Sequence, residues 1–138
     1  MPKVQVTNTK GLVQSTGSAP ADMTSGLSVG VQTVAAAGSN QATAAAIGAS
    51  SGGLVLVTGA DGTKGVRLPA LSSVPDGTMF LVMNTVAGAT LKVFPAVDDQ
   101  VLPAADNTAI TIAASSMMIC VAADGVKWVG AEPAVISA

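Results

Sequence analysis

At 138 residues the chain is long enough for one domain, with room for an arm. It contains no His and no Tyr, so the commonest general acid–base and the commonest zinc ligand are both missing, and no enzymatic activity is expected. Only 10% of residues are charged and the formal charge is −2; with no basic run to track a phosphate backbone, nucleic acid is not expected as a partner.

The N-terminal stretch, MPKVQVTNTKG, has no apolar run behind its Lys, so no signal peptide is expected. Residues 1–50 hold few large aliphatic side chains, about 18% Val, Leu, Ile or Phe, a range in which a segment does not fold alone. Within it Lys3 to Thr7 and Leu27 to Gln32 alternate apolar with polar, which suits an arm that adds to a neighbour's sheet. At Asn40 to Ala49 a short helix capped by Ser39 competes with extended structure, because Ala is the best helix former and isolated short helices are marginal.

Beyond residue 50 the chain reads as short strands. Gly53 to Thr58 is a continuous apolar run, Val66–Leu68 stops at Pro69, and Thr78 to Met83 is apolar on both faces. Leu91–Phe94 ends at Pro95, Thr108 to Ile112 alternates, and Met117 to Val121 precedes Val126 to Val129. Val dominates the larger aliphatics, and its β-branched side chain packs well on a pleated surface. Asp-Gly pairs at 61–62, 76–77 and 124–125 supply the positive φ of tight hairpins. Turn signals recur at the spacing of an all-β domain, a compact β-sandwich or small barrel. The expected division is an extended arm over 1–34 and a β domain over 35–138, with core strands from about 51.

Aromatic residues are only Phe80, Phe94 and Trp128, so the large area that aromatics usually bury is nearly absent. Burial is therefore expected to be completed against other chains, in an obligate oligomer. The best apolar stretch, Ala109 to Ala123, is too short for the roughly 20 residues of a spanning helix, and no membrane is expected as a partner.

Candidate chemistry is weak throughout. Gly59 to Gly65 has the flavour of a phosphate loop but misses its spacing, and is read as a hairpin turn. Asp98, Asp99 and Asp106 lack the alternating spacing of a calcium loop and are read as a solvated loop. Trp128 beside Lys127 is read as core or interface rather than a sugar-stacking platform. Cys120, the single cysteine, is read as a small buried hydrophobe. No cofactor, metal or small-molecule substrate is expected.

The segments Gly65-Val66-Arg67-Leu68-Pro69-Ala70, Val82-Met83-Asn84-Thr85, Leu91-Lys92-Val93-Phe94-Pro95-Ala96 and Val126-Lys127-Trp128 follow one another in a suggestive order. Together with the upstream Ala36-Ala37-Gly38-Ser39-Asn40-Gln41-Ala42, this order resembles small β-rich proteins of tailed bacteriophages, the capsid decoration (cement) and head-fibre proteins. The resemblance spans roughly residues 35 to 130. Phe94 stands where such proteins carry Tyr, and the loop Val97 to Gln100 is more acidic than theirs.

The resemblance implies a homotrimer on the outside of the head, made in the host bacterial cytoplasm, that binds the major capsid protein and stabilises the shell. Capsid contact would fall to the arm, at Lys3, Val4, Gln5, Val6, Leu27, Val29 and Val31. Val66, Leu68, Phe80, Val82, Val93, Phe94 and Trp128 would be the trimer and core framework. The alternative is a head fibre or host-attachment protein that binds surface glycan, for which the chain has few aromatics to offer.

Overall fold

The computed structural model describes residues 29–131 in full, and the backbone alone of β1 (Val4–Thr7) and β2 (Gly11–Gln14), which pair antiparallel. From β3 (Val31–Ala35) onward the chain winds between two sheets. β3, β5 (Leu54–Thr58) and β7 (Met79–Asn84) lie in one sheet; β4 (Ala45–Ala46), β6 (Gly65–Arg67) and β8 (Leu91–Phe94) lie in the other. Each strand runs parallel to its predecessor in the same sheet. Val31 stands beside Leu54 and Leu54 beside Leu81, while Ala45 stands beside Val66 and Val66 beside Val93. The result is solenoid-like.

Four further strands close the body: β9 (Gln100–Leu102), β10 (Ile110–Ile112), β11 (Met117–Ala123) and β12 (Lys127–Ala131). The six-stranded sheet has the order β3-β5-β7-β11-β12-β9, and the four-stranded sheet β10-β8-β6-β4. The all-β expectation is met. Among the described residues the only helical element is a 3-10 turn, η1 (Leu71–Ser73).

The pleat decides which residues go inward. β5 buries Val55 and Val57, β7 buries Phe80 and Val82, and β11 buries Met118, Cys120 and Ala122. Val66, Leu91, Val93 and Ile112 rise from the four-stranded sheet into the same cluster. Trp128 lies fully buried among them, tilted 59° to Phe80 with ring centroids 5.9 Å apart. Small β-branched side chains from two facing sheets thus fill an interior with almost no aromatics.

Two local expectations are revised. Of the three Asp-Gly pairs only Asp124–Gly125 makes a hairpin, joining β11 to β12 with both residues at positive φ (50° and 71°). Gly62 and Gly77 also have positive φ, 87° and 83°, but they serve loops that cross from one sheet to the other. After Asn40 the chain makes a single hydrogen-bonded turn and no helix. Ala44 N–H donates to the Asn40 carbonyl at 2.9 Å, and the cap is the Asn40 side chain, whose Oδ1 accepts Thr43 N–H at 3.1 Å, rather than Ser39. Ala45 and Ala46 then pair with β6, a tertiary contact that overrides the helix preference of Ala.

β3 crosses the expected boundary between arm and β domain, and its pairing with β5 makes it part of the body. Gly52, at φ 128°, lies against the Gly30 backbone so closely that a Cβ there would collide with Gly30 C and O. Gln32 fastens the same loop: its Nε2 donates to the Gly48 and Gly52 carbonyls (3.1 and 2.7 Å), and its Oε1 accepts Gly48 N–H (3.0 Å).

Candidate functional site

The loop that suggested phosphate binding is organised around its own carboxylate. Asp61 Oδ1 accepts the N–H of Thr63 and of Lys64, both at 2.9 Å, and the Thr63 hydroxyl at 2.8 Å. Its Oδ2 faces Lys64 Nζ at 3.1 Å. These bonds, the Lys64 N–H foremost, hold the Asp61 carboxyl well below the usual carboxylate range. Backbone donors that a phosphate would need are already turned onto Asp61. The loop is an Asx-turn between the sheets.

The acidic residues of the next loop have separate structural duties. Asp99 is buried, and its Oδ2 accepts Leu71 N–H at 2.9 Å, tying η1 to the loop. Asp98 takes a left-handed backbone at φ 67°, and its N–H donates to Asn107 Oδ1 at 2.8 Å. Among the described residues no three His, Cys, Asp or Glu side chains stand together as cation ligands.

All seven proposed framework residues, Val66, Leu68, Phe80, Val82, Val93, Phe94 and Trp128, are buried within the single chain, none more than 7% exposed. They have no surface left to offer a second chain. The Trp128 indole N–H is buried without a partner, which fits no sugar-stacking role. Cys120 is fully buried, and desolvation pushes its thiol up to about 12.

Asn84, in the Asn-Thr pair that closes β7, is a corner post missed at the level of sequence. It is fully buried, and its Nδ2 donates to the carbonyls of Ala89 (2.8 Å) and Ala113 (3.0 Å) while its Oδ1 accepts Val86 N–H (3.2 Å). Thr85 carries the ladder on, donating from both N–H and hydroxyl to the Val57 carbonyl (3.0 and 2.7 Å).

Two clefts stand out among the described residues. One, of about 250 Å³, is lined by Leu102, Ile110 and Met118 among others; the second, of about 370 Å³, has Arg67 as its only charge. Arg67 Nη1 already donates to the Gln41 carbonyl at 3.2 Å, and neither cleft joins a nucleophile to a base.

Of the proposed capsid-contact residues, Lys3 and Leu27 lie outside the described residues, and Val4, Gln5 and Val6 belong to β1, described by its backbone alone. Val29 and Val31 are exposed, at 37% and 57%, at the rim of the six-stranded sheet. Among the described residues β3 is the edge strand there, paired with β5 on one side only. Comparison with protein-family models, with characterised proteins and with solved structures gives no match.

Proposed function

We propose that this chain is a structural virion protein, a capsid decoration (cement) protein that binds the outer surface of a phage head as a homotrimer and stabilises the shell. The observation that carries this reading is the β3 edge. An edge strand presents a row of unpaired N–H and C=O groups, and proteins that must stay apart usually blunt such edges with Lys, Pro or a covering segment. β3 has the sequence Val-Gln-Thr-Val-Ala, without charge or proline, and leads with an exposed Val. It is built to receive a strand. Backbone pairing supplies affinity there, and Val29 and Val31 supply apolar anchors to the major capsid protein.

The test is co-sedimentation with bare heads. The full chain should pellet with heads at hundreds of copies per particle, whereas Val31→Lys should weaken binding by at least tenfold while keeping its far-UV circular dichroism and its oligomeric mass in sedimentation equilibrium. Equal binding by the Lys variant would remove β3 as the contact. Binding to host envelopes instead of heads would favour the host-attachment role.

A further inference from the structure

The two sheets treat solvent differently. The four-stranded sheet turns Arg67, Lys92 and Thr111 away from the core, as expected for a sheet with one wet face. The six-stranded sheet does the opposite. Leu54, Leu81 and Ile119 form one row across its outer face, and Leu56, Met83 and Met117 form the next. Met79 and Val129, in the adjoining row, are each 46% exposed. No charged residue occurs in β3, β5, β7 or β11, and Lys127 at the far end is paired with Asp124 at 3.8 Å.

We infer that the outer face of the six-stranded sheet is the surface through which copies of this chain associate. The inference rests on the self-assembling part of the function proposed above and supplies the contact that the buried framework residues cannot make. Six strands at about 4.8 Å spacing and five residues at about 3.3 Å each give a face of about 24 by 16 Å. That is about 400 Å² per copy in projection. Three such faces turned to a common three-fold axis would bury about 1,200 Å² in all, of the order of the about 1,200–2,000 Å² that a specific interface buries.

Further copies of the chain are matched by construction. Three such uncharged faces turned to a common three-fold axis meet without stranding a charge, and the unbranched methionines adapt to fill gaps between the sheets.

Sedimentation equilibrium of the full chain and of Ile119→Lys tests this. The expected result is an oligomeric wild type and a folded variant whose association is at least 100-fold weaker. A variant with wild-type mass would overturn the assignment of this face while leaving oligomerisation and head binding intact. A folded wild-type monomer at about 100 μM would overturn the inference, and head binding would then be judged separately by the Val31→Lys experiment. A second measurement needs no mutation: peroxide oxidation of Met83 and Met117, read by peptide mass spectrometry against buried Met118. Oxidation should slow about tenfold as the protein is concentrated through association. Protection that persists in the diluted monomer would mean that the chain covers its own face, and would overturn the inference.

Discussion

Gly65 opens a short motif, Gly-Val-Arg-Leu-Pro, whose role is steric. A Cβ at Gly65 would lie 2.7 Å from Phe94 Cε2 and 2.8 Å from the Lys92 carbonyl oxygen, both inside contact distance. Phe94 is buried against this bare backbone on the outer side of the four-stranded sheet. Gly65→Ala should therefore destabilise by about 1–3 kcal/mol through overpacking. In a Phe94→Ala background the added cost should fall, leaving a coupling of roughly 0.5–3 kcal/mol in a double-mutant cycle from urea midpoints. Additive effects would mean that the ring and the glycine do not touch. Asp61 gives a pH prediction. Its folded-state value is depressed, so its bonds stabilise the protein above the ordinary value near 3.8 and are lost as pH falls through and below it. Wild type should exceed Asp61→Asn in stability at pH 6, and the gap should narrow at pH 3. A gap that does not change with pH would show that the carboxylate's charge is not what holds the loop.

At the scale of elements, nearly every strand after residue 50 was legible, but not one of the parallel pairings. The reason is physical. The pleat sends Val55, Val57, Phe80 and Val82 inward whether the neighbouring strand is parallel or antiparallel, so alternation carries no information about direction. An Asp-Gly pair gives positive φ to a hairpin and to a crossing loop alike, as Gly125 and Gly62 demonstrate. The apolar outer face did leave a trace in the sequence: Thr78 to Met83 is apolar on both faces, which a sheet with one wet side would not require. Asn84 left none, because its bonds reach carbonyls in two different loops. Sheet order also predicts where the body opens. β7 and β11 lie at the centre of the six-stranded sheet, whereas β4 is a two-residue edge strand. Hydrogen exchange should find amides of β7 and β11 protected on the order of 100-fold more than those of β4 and its flanking loop. Equal protection would mean that the coils open as a unit.

For the whole molecule the scarcity of charge sets how assembly responds to solvent. Six basic and eight acidic side chains serve 138 residues, and Lys64 and Lys127 are already engaged with Asp61 and Asp124. Exposed pairs of this kind contribute little and are screened within about 8 Å at physiological ionic strength. If copies meet through the outer face of the six-stranded sheet, association removes apolar area from water and releases almost no ion pairing. Sodium chloride between about 50 and 500 mM should then change the association constant by less than roughly threefold, whereas sulfate, which is excluded from protein surface, should strengthen it. Burial of apolar area should also give the association a negative heat-capacity change in calorimetry. A tenfold or greater loss of affinity across the chloride series would point instead to an interface built on the charged loops, with Asp61 and Lys64 the first groups to replace.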